Sequence, residues 1–111
     1  QIAASIAGLI KIAQDEELQA KHGGFDILLI CPPPILEGGT FASDFAGQRV
    51  VSEALPAAYA FVAETRGVWF MDAGAHIISS EVDAIHFDAA THEVLGRAVA
   101  AEIERRESEI L

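Results

Sequence analysis

Two short apolar runs, FDILLIC at residues 25–31 and VWFMDA at residues 68–73, constrain the fold of this chain more than any other feature. Each run is too short for a helix and lacks polar alternation, which is typical of a strand buried on both faces of a parallel sheet. Three prolines end the first run, since proline cannot donate to a strand ladder. Buried strands of this kind need helices packed on them, so the two runs predict an α/β fold.

Three segments with helical periodicity surround these runs. Residues 1–22 place apolar side chains along one stripe and end at a glycine pair. Residues 52–66 form the second predicted helix, with Ser52 as its N-cap; Pro56 then falls in the first turn, where a missing N–H costs little. Its predicted inward stripe is Leu55, Tyr59, Val62 and Ala63, and Phe61 is also expected in the core. A third helix is predicted to begin at Asp88, which is also a good N-cap. The side chains predicted to face inward along it are Val94, Leu95, Ala98, Val99 and Ile103. The order α-β-loop-α-β-loop-α is that of a parallel, helix-covered sheet.

Two strands are too few for a complete sheet of this type. A parallel sheet needs both faces covered and its edges protected, and these two strands alone would leave an apolar edge open. In addition, no capping residue precedes Ile2, so the first helix is predicted to start before the sequence does. We therefore expect residues 1–111 to be the C-terminal portion of a single domain. The partner would be its missing N-terminal half or a second copy of the chain, which predicts a homo-oligomer.

Composition narrows the range of partners. The chain has 111 residues, 17 acidic and 7 basic, with a formal charge of −10. Such a surface repels phosphate backbones and anionic lipids, so neither nucleic acid nor a membrane surface is an expected partner. No apolar run is long enough to cross a bilayer. The single cysteine, Cys31, cannot form an internal disulfide and fits a reducing compartment, which slightly favours the cytoplasm.

Asp83 and His86 lie on the loop after the second predicted strand, three residues apart in DAIH. In a parallel α/β sheet, functional groups collect on the loops at the carboxyl ends of the strands. A carboxylate on one ring nitrogen fixes the tautomer of an imidazole, which can then take a proton from a hydroxyl and later return it. The pair is therefore a candidate general base with its orienting acid. The alternative is a structural ion pair or capping pair in a non-catalytic α/β interaction module.

Three histidines and two aspartates also raise the question of a metal site: His76, His86 and His92, with Asp72 or Asp88. No pair among them has the compact spacing of a known zinc motif, and the N-cap role already explains Asp88. No metal ligand is therefore predicted.

The segment that contains Pro34 and Ile35 follows the first predicted strand at its carboxyl end. It is a candidate for one wall of an acyl or alcohol pocket, and equally for a rigid turn. Cys31, at the end of the same strand, is expected to be inert because apolar surroundings raise the pKa of a thiol. Pro34 and Ile35 are the candidate substrate contacts in this segment, and Cys31 is not.

Three segments together resemble the SGNH hydrolases, the GDSL-like esterases and lipases. SSEVDAIHFDAATHEVLGRAVAAEI, at residues 79–103, is similar to their C-terminal block, an Asp-x-x-His signature followed by a capped terminal helix. DILLICPPPI at residues 26–35 resembles the strand-plus-proline segment of the arylesterase-like branch. SEALPAAYAFVAETRGVWFMDAG at residues 52–74 resembles its following helix and strand. The resemblance covers nearly the whole chain, in the order and spacing of the family.

The resemblance implies a fold, an activity and two catalytic residues. The fold would be the C-terminal half of a three-layer α/β/α, flavodoxin-like domain, with two strands and three main helices in this chain. His86 would be the general base of a serine ester hydrolase and Asp83 its orienting acid. Small or aryl carboxylic esters, thioesters and acetylated sugars are possible substrates, and no cofactor is needed.

One departure from the family is large. Its Gly-Asp-Ser nucleophile block, its oxyanion glycine and its Gly-x-Asn-Asp block would all precede Gln1. No nucleophile and no oxyanion donor is therefore assigned in this sequence, and the chain alone is expected to be inactive toward esters.

Overall fold

Helices and two parallel strands alternate along the chain. The computed structural model describes residues 2–36, 47–83 and 85–110. The elements within these ranges, in chain order, are α1 (Ile2–Ala13), α2 (Glu16–Lys21), β1 (Leu28–Cys31), α3 (Gln48–Arg66), β2 (Trp69–Asp72), a 3-10 turn (Ala73–Ala75) and α4 (Ala89–Ile110). The strands β1 and β2 pair in a two-stranded parallel sheet. The predicted α/β class is confirmed, with its two strands and three main helices.

The first of two compact units comprises Gln1–Cys31 and Ala54–Met71 and contains most of the buried apolar side chains. The pairing of the two strands begins at a hydrogen bond of 3.0 Å, in which the Trp69 N–H donates to the carbonyl of Ile27. The predicted burial of the inward face of α3 is confirmed at three positions. The buried apolar residues of this unit are Ile10, Cys31, Tyr59, Val62, Ala63 and Met71. Removal of these apolar side chains from water supplies the main stabilising term of the unit.

The second unit comprises Pro32–Glu53 and Asp72–Leu111. Its longest element, α4, has 22 residues and none of those described is fully buried. The stripe of α4 that was predicted to face inward is half-buried at most, and Val94 is 48% exposed, so that prediction is wrong at Val94. No helix within the described ranges is long and apolar enough to span a bilayer.

The first predicted helix is in fact two helices. Asp15 leaves the helical region, with φ −54° and ψ 132°, and its side chain accepts the N–H of Leu18 at 3.1 Å. This is the geometry of an N-cap, and it starts α2 at Glu16. In the sequence, Asp15 and the charged residues after it fit the polar face of one continuous helix, so the break was not predicted.

The second predicted helix begins earlier than expected, and Ser52 is not its N-cap. Helix α3 starts at Gln48, and the Ser52 hydroxyl donates to the carbonyl of Arg49 at 2.8 Å from within the helix. An ion pair of Arg49 with Glu53 at 2.7 Å supports this exposed first stretch. Pro56 consequently lies inside the helix and not in its first turn. Because proline has no N–H, the carbonyl of Ser52 loses its intrahelical donor there.

Candidate active site

Asp83 and His86 meet in the loop that precedes α4. Asp83 Oδ2 lies 2.6 Å from His86 Nδ1. The other carboxylate oxygen, Oδ1, accepts the backbone N–H groups of Ile85 and His86 at 2.9 Å each. One carboxylate thus shapes the turn and orients the ring. The His86 side chain is 74% exposed and that of Asp83 is 19% exposed, so the imidazole is open to solvent while its partner is held in place.

These hydrogen bonds keep the Asp83 carboxyl ionised. The backbone N–H of Ile85, then the backbone N–H of His86 and then its ring lower the pKa of Asp83 from 3.8 to about 2. An ionised carboxylate can only accept, so the 2.6 Å contact requires His86 Nδ1 to carry the hydrogen. In the neutral ring, Nε2 then has the lone pair. An exposed Nε2 with a lone pair is the atom that a general base uses.

Hydrogen bonds fix the loop on both sides of the pair. Before it, the Ser80 N–H donates to the carbonyl of His86 at 2.7 Å, and the Ser80 hydroxyl accepts the N–H of Val82 at 3.2 Å. After it, Asp88 accepts the N–H of Thr91 at 2.7 Å, which is the predicted N-cap of α4. The Thr91 side chain and then its backbone N–H lower the pKa of Asp88, so the cap is charged at the positive end of the helix dipole.

Pro34 and Ile35, the candidate substrate contacts, are held from two sides. The Ser79 hydroxyl donates to the carbonyl of Pro34 at 3.1 Å, and the N–H of Ile35 donates to the Ser52 hydroxyl at 3.0 Å. Gly74 makes the close approach of the proline segment possible, because a Cβ built on it would lie 3.2 Å from Pro34 Cδ. The segment is therefore fixed by specific contacts of its backbone.

The second unit also links the two candidate groups. Ser79, which holds Pro34, is followed directly by Ser80, which holds the backbone of His86. The structure thus places Asp83 and His86 in direct contact and connects Pro34 to them through two consecutive residues.

Within residues 2–36, 47–83 and 85–110, no three side chains of metal-ligating type converge. Three of the residues considered for a metal site have other contacts. Asp72 caps the 3-10 turn by accepting the N–H of Gly74 at 2.9 Å, Asp88 caps α4, and the His92 ring packs edge-on against Phe87 with centroids 5.3 Å apart.

The contacts of Ser52 and Ser79 with the Pro34–Ile35 segment were not predicted from the sequence. They are the two polar residues that are buried in the described part of the chain, 8% and 2% exposed respectively. Ser79 is 45 positions from Pro34, and Ser52 is 17 positions from Ile35. No local pattern reports contacts at such separations. The only signal was the polarity of two serines next to apolar residues.

The proteins found to be similar to this chain are all solved structures of other proteins. No protein-family model and no curated protein matches the chain. Solved structures do match. Est24, a carbohydrate acetylesterase from Sinorhizobium meliloti, is similar over 94% of this chain and 50% of its own, with 26% identity and a TM-score of 0.84. A carbohydrate acetylesterase family member from Sinorhizobium meliloti is similar over 93% of this chain and 50% of its own, with 25% identity and a TM-score of 0.84.

A third match has a higher sequence identity to this chain than these two acetylesterases. The native aryl esterase of M. smegmatis is 31% identical over 72% of this chain and 38% of its own, with a TM-score of 0.66. The neighbours are thus arylesterases and carbohydrate acetylesterases, and the resemblance predicted from the sequence is confirmed. This chain spans between 38% and 50% of the lengths of these three proteins.

Proposed function

We propose that the chain supplies the general base, His86, and its orienting acid, Asp83, to a serine-type ester hydrolase. The observation that supports this most strongly is the 2.6 Å contact between Asp83 Oδ2 and His86 Nδ1, on a ring that is otherwise exposed. The esterase neighbours supply the reaction class. The pair of groups has the arrangement that ester hydrolysis through an acyl-enzyme requires.

In the proposed mechanism, His86 accepts and then donates one proton in each of two half-reactions, the formation of the acyl-enzyme and its hydrolysis. Nε2 takes the proton from a serine hydroxyl as the serine oxygen bonds to the carbonyl carbon and the C=O π bond opens to an oxyanion. The C=O bond then re-forms, the bond to the leaving alkoxy oxygen breaks, and the imidazolium gives its proton to that oxygen. Water attacks the acyl carbon in the same way and gives a proton to Nε2, which passes it to the serine oxygen as the acyl–serine bond breaks and the carboxylic acid leaves. Asp83 stays ionised throughout and stabilises the imidazolium through Nδ1.

The nucleophilic hydroxyl is not assigned within this sequence. Two of the esterases that resemble the chain are about twice as long, since the chain covers 50% of each. We assign the nucleophile and the oxyanion donors to that other part of the fold. On this assignment the 111-residue chain alone does not hydrolyse esters, and the activity needs both parts.

The neighbours also narrow the proposed substrate. One is named an aryl esterase and two are carbohydrate acetylesterases. Small carboxylic esters, either aryl esters or acetylated sugars, are therefore the proposed substrates. The mechanism uses no cofactor, since each step is a proton transfer or a substitution at the acyl carbon.

A second function is an α/β module in which the pair is structural. One observation favours it: Asp83 Oδ1 accepts two backbone N–H groups and would shape the loop without any catalysis. The two functions differ in what happens when the ring is removed, because the backbone contacts of Asp83 do not need the imidazole.

The test compares two histidine substitutions in the longest reading frame that contains this chain. His86→Ala should lower the turnover of p-nitrophenyl acetate by at least about a thousandfold, with unchanged circular dichroism. His22→Ala is the matched control, since that exposed ring follows α2 in the other unit. Similar turnover in the two variants would overturn the catalytic assignment and favour the module.

A further inference from the structure

Two buried hydroxyls hold the two sides of one peptide bond. The bond between Pro34 and Ile35 presents its carbonyl to the Ser79 hydroxyl at 3.1 Å and its N–H to the Ser52 hydroxyl at 3.0 Å. Within the described ranges, Ser52 and Ser79 are the polar residues that are buried. We call this pair of hydroxyls the serine clamp. Pro34 and Ile35 are half-buried, so their peptide group is partly shielded from water, and both of its hydrogen-bond partners are side chains from other segments.

The direction of each hydrogen bond in the clamp is fixed. The Ser52 hydroxyl donates to the carbonyl of Arg49 at 2.8 Å, so its lone pairs face the N–H of Ile35. The Ser79 hydroxyl gives its hydrogen to Pro34. Neither hydroxyl can therefore exchange roles without loss of a bond. The clamp holds the peptide plane in one orientation, which a single contact would not do.

The serine clamp is also connected to the candidate base. Ser80 follows Ser79 directly, and its N–H donates to the carbonyl of His86 at 2.7 Å. Ser80 also accepts the N–H of Val82, which shapes the start of the loop. One residue of backbone and the hydrogen bond of Ser80 therefore connect Ser79 to His86.

We propose that the serine clamp sets the position of Pro34 and Ile35 relative to the His86 ring, and thereby selects the size of the acyl or alcohol group of the ester. Ser52 and Ser79 are positioning residues in this account, since they touch the backbone of the wall and not the reacting atoms. The selection by size rests on the proposed esterase function. The coupling of the clamp to His86 does not.

Removing one hydroxyl should shift specificity more than rate. In Ser79→Ala the carbonyl of Pro34 loses its donor, so the wall moves toward a position where water satisfies it. Ser79 takes no part in the Asp83–His86 contact, so kcat should change less than the preference among esters.

The kinetic test uses p-nitrophenyl acetate, butyrate and octanoate with the longest reading frame that contains this chain. Ser79→Ala should change the ratio of kcat/KM between acetate and octanoate by about two- to tenfold, the factor that corresponds to the free energy of one hydrogen bond. The matched control is Ser108→Ala, because the hydroxyl of Ser108 donates to the carbonyl of Glu104 within α4. An unchanged ratio in folded Ser79→Ala would overturn the selection by size.

A second measurement separates this proposal from the proposed function. Nuclear magnetic resonance with isotope-labelled histidine and isoleucine should show shifts of the Ile35 amide and of the His86 ring in Ser79→Ala, and none in Ser108→Ala. If the His86 resonances stay unmoved, the coupling is refuted. A wild-type protein without ester turnover would refute the proposed function, and the spectra would still decide the coupling. Should Ser79→Ala fail to fold, Ser52→Ala removes the other half of the clamp and is measured in the same way.

Discussion

Replacing Asp83 by asparagine changes one atom of the site and leaves its shape. In the native loop, Oδ1 accepts two backbone N–H groups, and Oδ2 accepts the hydrogen on His86 Nδ1. The asparagine side chain has one oxygen and one NH₂ group, so it cannot serve all three donors. If its oxygen stays on the two N–H groups, its NH₂ faces Nδ1.

The count of hydrogen bonds decides the orientation of the new amide. Keeping the oxygen on the backbone preserves two hydrogen bonds, whereas flipping it toward His86 preserves one and points an NH₂ at two N–H donors. The unflipped amide is therefore favoured. His86 Nδ1 must then accept, and its hydrogen moves to Nε2, which removes the lone pair from the reacting side. An inverted tautomer of this kind lowers turnover by about 10⁴-fold in a serine hydrolase.

The assay for Asp83→Asn combines ester turnover with nitrogen resonance of the histidine ring, both at neutral pH. The expected result is a fall of about 10⁴-fold in kcat together with protonation of Nε2 in place of Nδ1. Asp15→Asn is the matched control, because Asp15 also accepts a backbone N–H but belongs to the cap of α2. Turnover within tenfold of wild type, with the tautomer inverted, would refute the reasoning.

Three further predictions concern packing and charge. In α4, hydrogen bonds from Arg105 and then Arg106 lower the pKa of Glu102 from 4.5 to about 2. Glu102→Gln should therefore lower the free energy of unfolding by about 0.5–1 kcal/mol. This loss should be complete above pH 4.5 and should disappear as the pH falls through about 2. Gly74→Ala puts a Cβ 3.1 Å from a carboxylate oxygen and 3.4 Å from backbone, and should cost about 1–3 kcal/mol in urea unfolding. Leu9 is 63% exposed, so Leu9→Glu should reduce self-association of the 111-residue chain in sedimentation velocity.

Each of these predictions has a control and a contradicting result. For the charge network, an unfolding difference that persists unchanged at pH 1.5 would show that the ion pairs are not its cause. For Gly74, the control is Gly96→Ala, which meets nothing within 4 Å inside α4 and should stabilise by about 0.5–1 kcal/mol. Equal effects at both glycines would refute the packing argument. For Leu9, the control is Lys11→Glu on the same helix, and a wild-type chain that sediments as a monomer would contradict the prediction.

The two strands were predictable because short apolar runs carry their own signal. The runs at residues 25–31 and 68–73 contain β1 and β2, although the paired strands are shorter, four residues each. The helix boundaries were harder. Asp15 could be a cap or part of the polar face of a longer helix, and the sequence alone did not decide between them. The start of α3 at Gln48 has no Ser, Thr, Asp or Asn directly before it to mark the helix end.

The contact between Asp83 and His86 was predictable because it is local: three residues of turn suffice to bring the groups together. The clamp on Pro34 was not, because it joins residues 45 positions apart and depends on how the chain folds back. Phe61 gave a different kind of error. It was expected to be in the core, and its side chain is 70% exposed, since an aromatic residue on a helix does not report by itself which face is covered.

The central claim is that an imidazole held by Asp83 acts as the base in ester hydrolysis. The most direct test is chemical rescue of His86→Gly by imidazole, measured as turnover of p-nitrophenyl acetate above the rate with imidazole and no protein. Since the native ring is 74% exposed, free imidazole can reach its place. The account predicts loss of turnover in the variant and saturable recovery with imidazole. Wild-type turnover in His86→Gly without imidazole would contradict it.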